Sequence, residues 1–270
     1  MTPHQLLFAW LLGPLALVVA LLAVGRFAPE PARRFDGAPV AAIGSSLSVH
    51  AMPAHFRLRD GREVRRIGIS VASESDSLTL LEAGIDEHAR LILLEAAPFV
   101  ADFAFEQPKG CQAPARGLRQ ELRAGQVRLV DRLRRLFGEP ASLDGMREPV
   151  GLDRAQEIDP VVMATFYPLT IHPPCEGERL ARAVARAKAQ GIRIVLLVPP
   201  RSPFGERLLG NAQSQQLTLR TRELANRLGL DLLEFGAGWS DAEFVDHAHV
   251  NARGRARFLR QLDAWLGAAR

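Results

Sequence analysis

Residues 176–198, EGERLARAVARAKAQGIRIVLLV, hold the unit from which the fold is read. An amphipathic run over 176–190 meets Gly191, and a short run over 192–198, apolar but for Arg193, follows at once. Helical periodicity, a glycine stop and a short apolar segment spell a helix leading into a buried strand. The same succession recurs at 213–228, Gly229 and 230–235. Working outward, 38–43, 64–69 and 91–95 read as three earlier strands, 75–88 as a helix between two of them, and 252–268 as the closing helix. Strands separated by helices need crossovers, and right-handed crossovers build a parallel sheet with helices on both faces. The expectation is an α/β domain over residues 38–270 around a five-stranded parallel sheet, with no internal repeat.

Residues 100–175 break the rhythm. An Arg- and Leu-rich helix at about 115–137 sits between Pro- and Gly-bearing stretches, and 138–174 carries no sustained period. A connection of this length is a functional cover or an insertion rather than a plain loop. Because ligands of such sheets bind outside the carboxyl ends of the strands, the insertion is expected to shape the substrate crevice. Tyr167 and His172 could reach a substrate from it, and Arg201, after the fourth strand, could meet an anionic or hydroxyl-rich ligand. A structural role for the first two and a surface salt bridge for Arg201 are the competing readings.

Composition sets the class. A chain of 270 residues with 47% hydrophobic content can bury a full core, which excludes a disordered chain. The formal charge is +4, and since Lys109 and Lys188 are the only lysines, the basic charge is almost all arginine. No basic stretch is interleaved with aromatics, so no nucleic-acid partner is expected. Neither Cys111 nor Cys175 has a Cys-x-x-Cys partner, and no metal or cofactor is expected.

Residues 6–24, LLFAWLLGPLALVVALLAV, are uncharged. At ~1.5 Å per helical residue they nearly span a ~30 Å hydrocarbon core. Residues 1–26 therefore read as an N-terminal transmembrane signal anchor and 27–37 as a Pro- and Arg-bearing linker; no clear Ala-x-Ala site follows the apolar run to suggest cleavage. Arg26, Arg33 and Arg34 follow the span, and the positive-inside tendency taken alone would leave the remaining chain in the cytoplasm.

Two motifs carry chemistry. Ile43-Gly44-Ser45-Ser46-Leu47 closes the first apolar run, and Asp246-His247-Ala248-His249 stands just before the last helix. Together they offer a nucleophilic serine, a general base and a carboxylate to orient it. The order Ser, Asp, His, the early Gly-x-Ser-Leu and the late Asp-x-x-His resemble the SGNH/GDSL hydrolase family over roughly residues 38–268. The resemblance implies that Ser46 is the nucleophile, with Ser45 in place of an aspartate, that His249 is the base and that Asp246 fixes its tautomer. His247 is the secondary candidate for the base. Asn251 and Gly254 read as the cap and close-packing residue of the last helix.

For the oxyanion, the resemblance implies the backbone amides of Ser46 and of Gly68, the glycine of the family's second block. The third block normally supplies an asparagine, whereas this chain reads Leu-Leu-Glu95-Ala-Ala there. The departure resembles divergent membrane-anchored members that accompany membrane-bound O-acyltransferases in modifying envelope polymers. By that resemblance the protein is a serine-dependent esterase or O-acyltransferase acting on a cell-envelope polysaccharide or lipid, held in the inner membrane by residues 6–24 with its domain in the periplasm. The alternative is a non-catalytic accessory protein of a membrane-bound O-acyltransferase. Cys111 and Cys175 both lie in loop-like sequence, where one disulfide could staple the insertion in an oxidising space; two unpaired thiols is the other reading.

Location is testable directly. A periplasm-dependent reporter fused after Arg270 is expected to be active, and non-reducing peptide mapping of the exported protein to recover a Cys111 to Cys175 bridge. A reporter active only in the cytoplasm refutes export; free thiols in exported protein refute only the bridge.

Overall fold

A computed structural model describes residues 35–68, 73–102, 169–236 and 238–268. The anchor expected at 6–24, Tyr167, Cys111 and most of the expected insertion, including the helix expected at 115–137, lie outside the described residues. Among the described residues no helix is long and apolar enough to cross a membrane.

The chain enters the sheet at β1 (Val40–Gly44), turns into the short helix α1 (Ser46–Ala51), and passes through β2 (His55–Arg57) and β3 (Glu63–Gly68) to α2 (Glu74–Asp86) and β4 (Leu91–Glu95). Two short strands, β5 (Ala101–Asp102) and β6 (Thr170–Ile171), pair antiparallel beyond the main sheet. The chain then runs through α3 (Gly177–Ala189), β7 (Arg193–Val198), α4 (Pro203–Leu209), α5 (Asn211–Leu228), β8 (Asp231–Glu234) and α6 (Ala252–Ala268).

The main sheet has the order β2-β3-β1-β4-β7-β8. Its five expected strands are all present and parallel to one another. The expected five-stranded, wholly parallel sheet is corrected in one respect: a sixth strand, β2, pairs antiparallel with β3 at the edge. It escapes a periodicity reading because three residues are too few to alternate. The signal that reveals it is Asp60-Gly61, a hairpin dipeptide between two strand-like segments; Leu58 N donates to Arg62 O and Gly61 N to Leu58 O, both at 2.9 Å.

The apolar strands supply two cores because side chains alternate across a sheet. Ala41, Ile43, Ile92, Leu94, Ile194 and Leu196 face one way and pack against α2, α3 and α5 through Leu78, Leu81, Leu180, Val184 and Leu224. Val40, Ala42, Leu91, Leu93, Val195 and Leu197 face the other way, against α1 and α6 through Ala51, Phe258, Leu262 and Leu266.

The start of α6 fixes the segment before it. Asn251 Oδ1 accepts from Gly254 N at 3.1 Å, while Asn251 N donates to Glu243 O at 3.0 Å. Gly254 sits so close to this strap that a Cβ there would lie 2.2 Å from the Glu243 carbonyl oxygen and 2.9 Å from Val250 Cβ. A backbone atom in a bonded loop cannot give way cheaply. Gly254→Ala is therefore expected to lower the unfolding free energy by about 1–3 kcal/mol. Gly267→Ala, where a Cβ meets nothing within 4 Å, should be neutral or raise it by up to about 1 kcal/mol. Denaturant midpoints of the two variants decide; equal effects would refute the close-packing role.

Candidate active site

The parallel strands run, in chain order, second-first-third-fourth-fifth across the sheet, so the direction of winding reverses between β1 and β4. A crevice opens at the carboxyl ends of the strands at such a reversal. Gly44-Ser45-Ser46 leaves β1 there, and Glu95 is the last residue of β4.

Glu95 is fully buried. Its Oε2 accepts from Ser45 N at 2.9 Å, Ser48 N at 3.2 Å and Ser48 Oγ at 2.5 Å, and its Oε1 from Ser45 Oγ at 2.5 Å. The block where an asparagine was expected thus holds the first turn of α1 in place. Ser45 is the N-cap of α1, its Oγ accepting from Leu47 N at 3.2 Å, while Val49 N donates to Ser45 O. These bonds occupy the amides of Ser45, Leu47, Ser48 and Val49 and leave that of Ser46 outside the set. Gly44 is required by space: a Cβ there would lie 2.1 Å from Ser48 Oγ and 2.5 Å from Glu95 Oε2. Gly68, in register with Gly44 on β3, is pressed by Val49 of α1, whose Cγ2 would stand 2.3 Å from an added Cβ.

The second half of the site comes from the loop before α6. An antiparallel bridge between Phe244 and Val250 closes it, and Val245 N donates to His249 O at 2.8 Å. Inside the loop, Asp246 Oδ1 accepts from the amides of Ala248 and His249, both at 2.8 Å. Its Oδ2 stands 2.7 Å from His249 Nδ1, and His249 Nε2 stands 2.8 Å from Ser46 Oγ. Three residues drawn from both ends of the described chain, 203 positions apart at the Ser46–His249 contact, form one continuous relay. Burial alone would raise the Asp246 pKa, but the His249 hydrogen bond and charge and the two loop amides outweigh it and hold the carboxyl well below the usual carboxylate range.

The other expected residues fall elsewhere. His247 is buried, with Nδ1 3.8 Å from Asp246 Oδ1, and its carbonyl accepts from Ser202 N at 3.3 Å and Ser202 Oγ at 2.7 Å, anchoring the loop to the start of α4. Arg201 pairs with Glu206 at 3.5 Å and lines a cavity of about 410 Å³ at the ends of β7 and β8, together with Arg222, Glu234 and Trp239. His172 bridges the small sheet, its Nε2 3.0 Å from Asp102 Oδ2 and its Nδ1 2.8 Å from Pro173 O; the bond to Asp102 raises its pKa against burial. Neither Arg201 nor His172 is bonded to Ser46, His249 or Asp246 in the described structure. One site neighbour had no signal in the sequence: His50, whose ring centroid lies 4.4 Å from that of His249.

No family model matches the chain, and no curated protein matches it. Among solved structures it is similar to a protein of Bacteroides fragilis described as a candidate acylhydrolase (14% identity, 84% of this chain and 86% of that one, TM-score 0.41). It is also similar to a GDSL-like lipase of Bacteroides thetaiotaomicron (13% identity, 92% of this chain and 97% of that one, TM-score 0.40).

The Glu95 clasp predicts a graded loss. Glu95→Ala strands two amides and two hydroxyls and should cost about 2–4 kcal/mol of stability, with faster amide hydrogen exchange at Ser45 and Ser48. Glu95→Gln, which keeps shape and one strong acceptor, should lose less on both measures. Unchanged exchange in a folded Glu95→Ala protein would refute the clasp.

Proposed function

We propose that the protein is an SGNH-like serine hydrolase or acyltransferase that removes or transfers a small acyl group, acetyl being the simplest, on a cell-envelope polysaccharide or lipid. The observation that carries this reading is the relay Ser46 Oγ, His249 Nε2, His249 Nδ1, Asp246 Oδ2, with contacts of 2.8 and 2.7 Å. Both fall within the reach that proton transfer needs.

Ser46 Oγ attacks the acyl carbonyl as its proton passes to His249 Nε2. Asp246 keeps Nδ1 protonated and offsets the imidazolium charge, remaining ionised because its carboxyl is so acidic. The tetrahedral oxyanion is met by the Ser46 amide, which α1 leaves outside its other bonds, and by the amide of Gly68. His249 then returns the proton to the departing alkoxide, leaving an acyl-Ser46 ester. In the second half His249 deprotonates a water or an acceptor hydroxyl, which attacks the ester; as the intermediate collapses, His249 gives that proton to the departing Ser46 Oγ, releasing the acid or the acylated acceptor and restoring Ser46. Hydrolysis and transfer differ only in which nucleophile enters.

The envelope location, the anchor at 6–24 and a membrane-bound O-acyltransferase as neighbour belong to the same proposal; they rest on the apolar run and the motif resemblance. The accessory-protein alternative has the missing asparagine in its favour. It gives no reason for an aligned relay.

An active-site phosphonate should label Ser46, persist in Ser45→Ala and vanish in folded Ser46→Ala. His249→Ala should lower kcat by about 10³- to 10⁶-fold, Asp246→Asn by about 10⁴-fold, and His247→Ala far less. Because the Asp246 carboxyl is held well below the usual carboxylate range, a pH–rate profile should show no loss of activity from its protonation as pH falls through that range. Turnover in a phosphonate-inert protein, or tolerance of His249→Ala, would refute the relay as the catalytic unit.

A further inference from the structure

Two in-plane hydrogen bonds aim the His249 ring, one at each nitrogen, but neither supports its face. A ring held only at its edge can tilt off a serine hydroxyl at little cost, and small misplacements of a reacting group are expensive in rate. His247, the neighbour in sequence, does not provide that support: its ring stands edge-on with centroids 6.4 Å apart. His50 does. It lies on α1, one helical turn after Ser46, and its ring meets that of His249 at 4.4 Å between centroids with a 40° tilt.

His50 is itself firmly held. Its ring faces the backbone of Val250, one residue beyond His249, which favours the protonated form. Its carbonyl accepts from Arg255 Nε of α6 at 2.8 Å, and Arg255 also reaches Val49 O at 3.5 Å. The helix that follows the base thus grips the helix that carries the nucleophile at the residue lying between them. His50 Nδ1 is buried without a hydrogen-bond partner. A buried nitrogen of this kind costs stability, a cost that makes sense where a flat aromatic face is needed. The charged or titratable groups facing the ring are His249 and Asp246 from the loop and Arg255 from α6. Burial first, then the charges of His249 and Arg255, outweigh Asp246 and the Val250 backbone and bring the His50 pKa down to about 4. The His50 ring is therefore uncharged near neutral pH.

We propose that His50 is a positioning residue: its ring backs the face of His249 and keeps Nε2 on the Ser46 hydroxyl. This rests on the relay being the catalytic unit. It adds a fourth side chain that touches neither substrate nor the reacting serine oxygen and acts through the base alone.

The test uses the full chain, with p-nitrophenyl acetate as the probe substrate. His50→Ala is expected to lower kcat about tenfold or more with KM changed less than about twofold, and His50→Phe, which restores a flat ring, to return kcat to within about threefold of wild type. An activity-independent readout accompanies it: the low-field NMR proton of the His249 to Asp246 hydrogen bond, assigned by its loss in Asp246→Asn. It should be sharp in wild type and His50→Phe and broadened in His50→Ala by exchange from a loosened ring. Should His50→Ala fail to fold, His50→Gln takes its place as the ringless variant. The proposal is overturned if the ringless variant keeps wild-type kcat and a sharp proton, or if folded His50→Phe is as impaired as the ringless variant. Failure of the underlying reading looks different: wild type without Ser46-dependent turnover refutes the enzyme, while the proton alone still reports whether His50 holds the ring.

Discussion

A single buried carboxyl group organises the site. Glu95, at the end of β4, accepts hydrogen bonds from both the amides and the hydroxyls of Ser45 and Ser48 across the point where the winding of the sheet reverses. The Ser48 amide and hydroxyl would otherwise be buried without partners, at roughly 1–3 kcal/mol each, and the two donors of half-buried Ser45 would lose theirs as well. Satisfying them fixes how the chain leaves β1, and so where Ser46 points. It also explains Gly44: any side chain there would occupy the space in which Ser48 and Glu95 meet.

The rest of the site depends on bringing a distant loop to that serine without slack. The loop of residues 244–250 closes on itself through the Phe244 to Val250 bridge and the Asp246 turn. It is then clamped from two sides, by Ser202 on the His247 carbonyl and by Glu243, whose carbonyl binds Asn251 N and abuts Gly254. Arg255 completes the arrangement by gripping α1 from α6. The serine and the base are held by separate parts of the chain, yet each is referenced to the other through backbone carbonyls, which move less than side chains. Pre-organisation of this kind is what the proposed function asks of the site, since its geometry must be in place before charge develops.

Much of this was legible in residue order. The five parallel strands lie within two residues of the expected ranges because each is a short, largely apolar segment. The edge strand β2 was not legible by periodicity, although Asp60-Gly61 marked its hairpin. Motif order singles out Ser46, Asp246 and His249, and the structure brings the three side chains together at 2.7 and 2.8 Å. Arg201 and His172 were singled out for their chemistry and turn out to be engaged with Glu206 and with Asp102 and Pro173.

The sequence by itself determined the α/β architecture, the two short motifs and the oddity of a glutamate where an asparagine was expected. Apolar periodicity and local spacing are written in neighbouring residues and survive without coordinates. Tertiary structure alone decided what Glu95 does, which of His247 and His249 meets Ser46, and that His50 packs on His249. Each of those depends on contacts between residues about 50 to 200 positions apart. No local pattern encodes such contacts, because the register that creates them is set by the packing of the whole sheet.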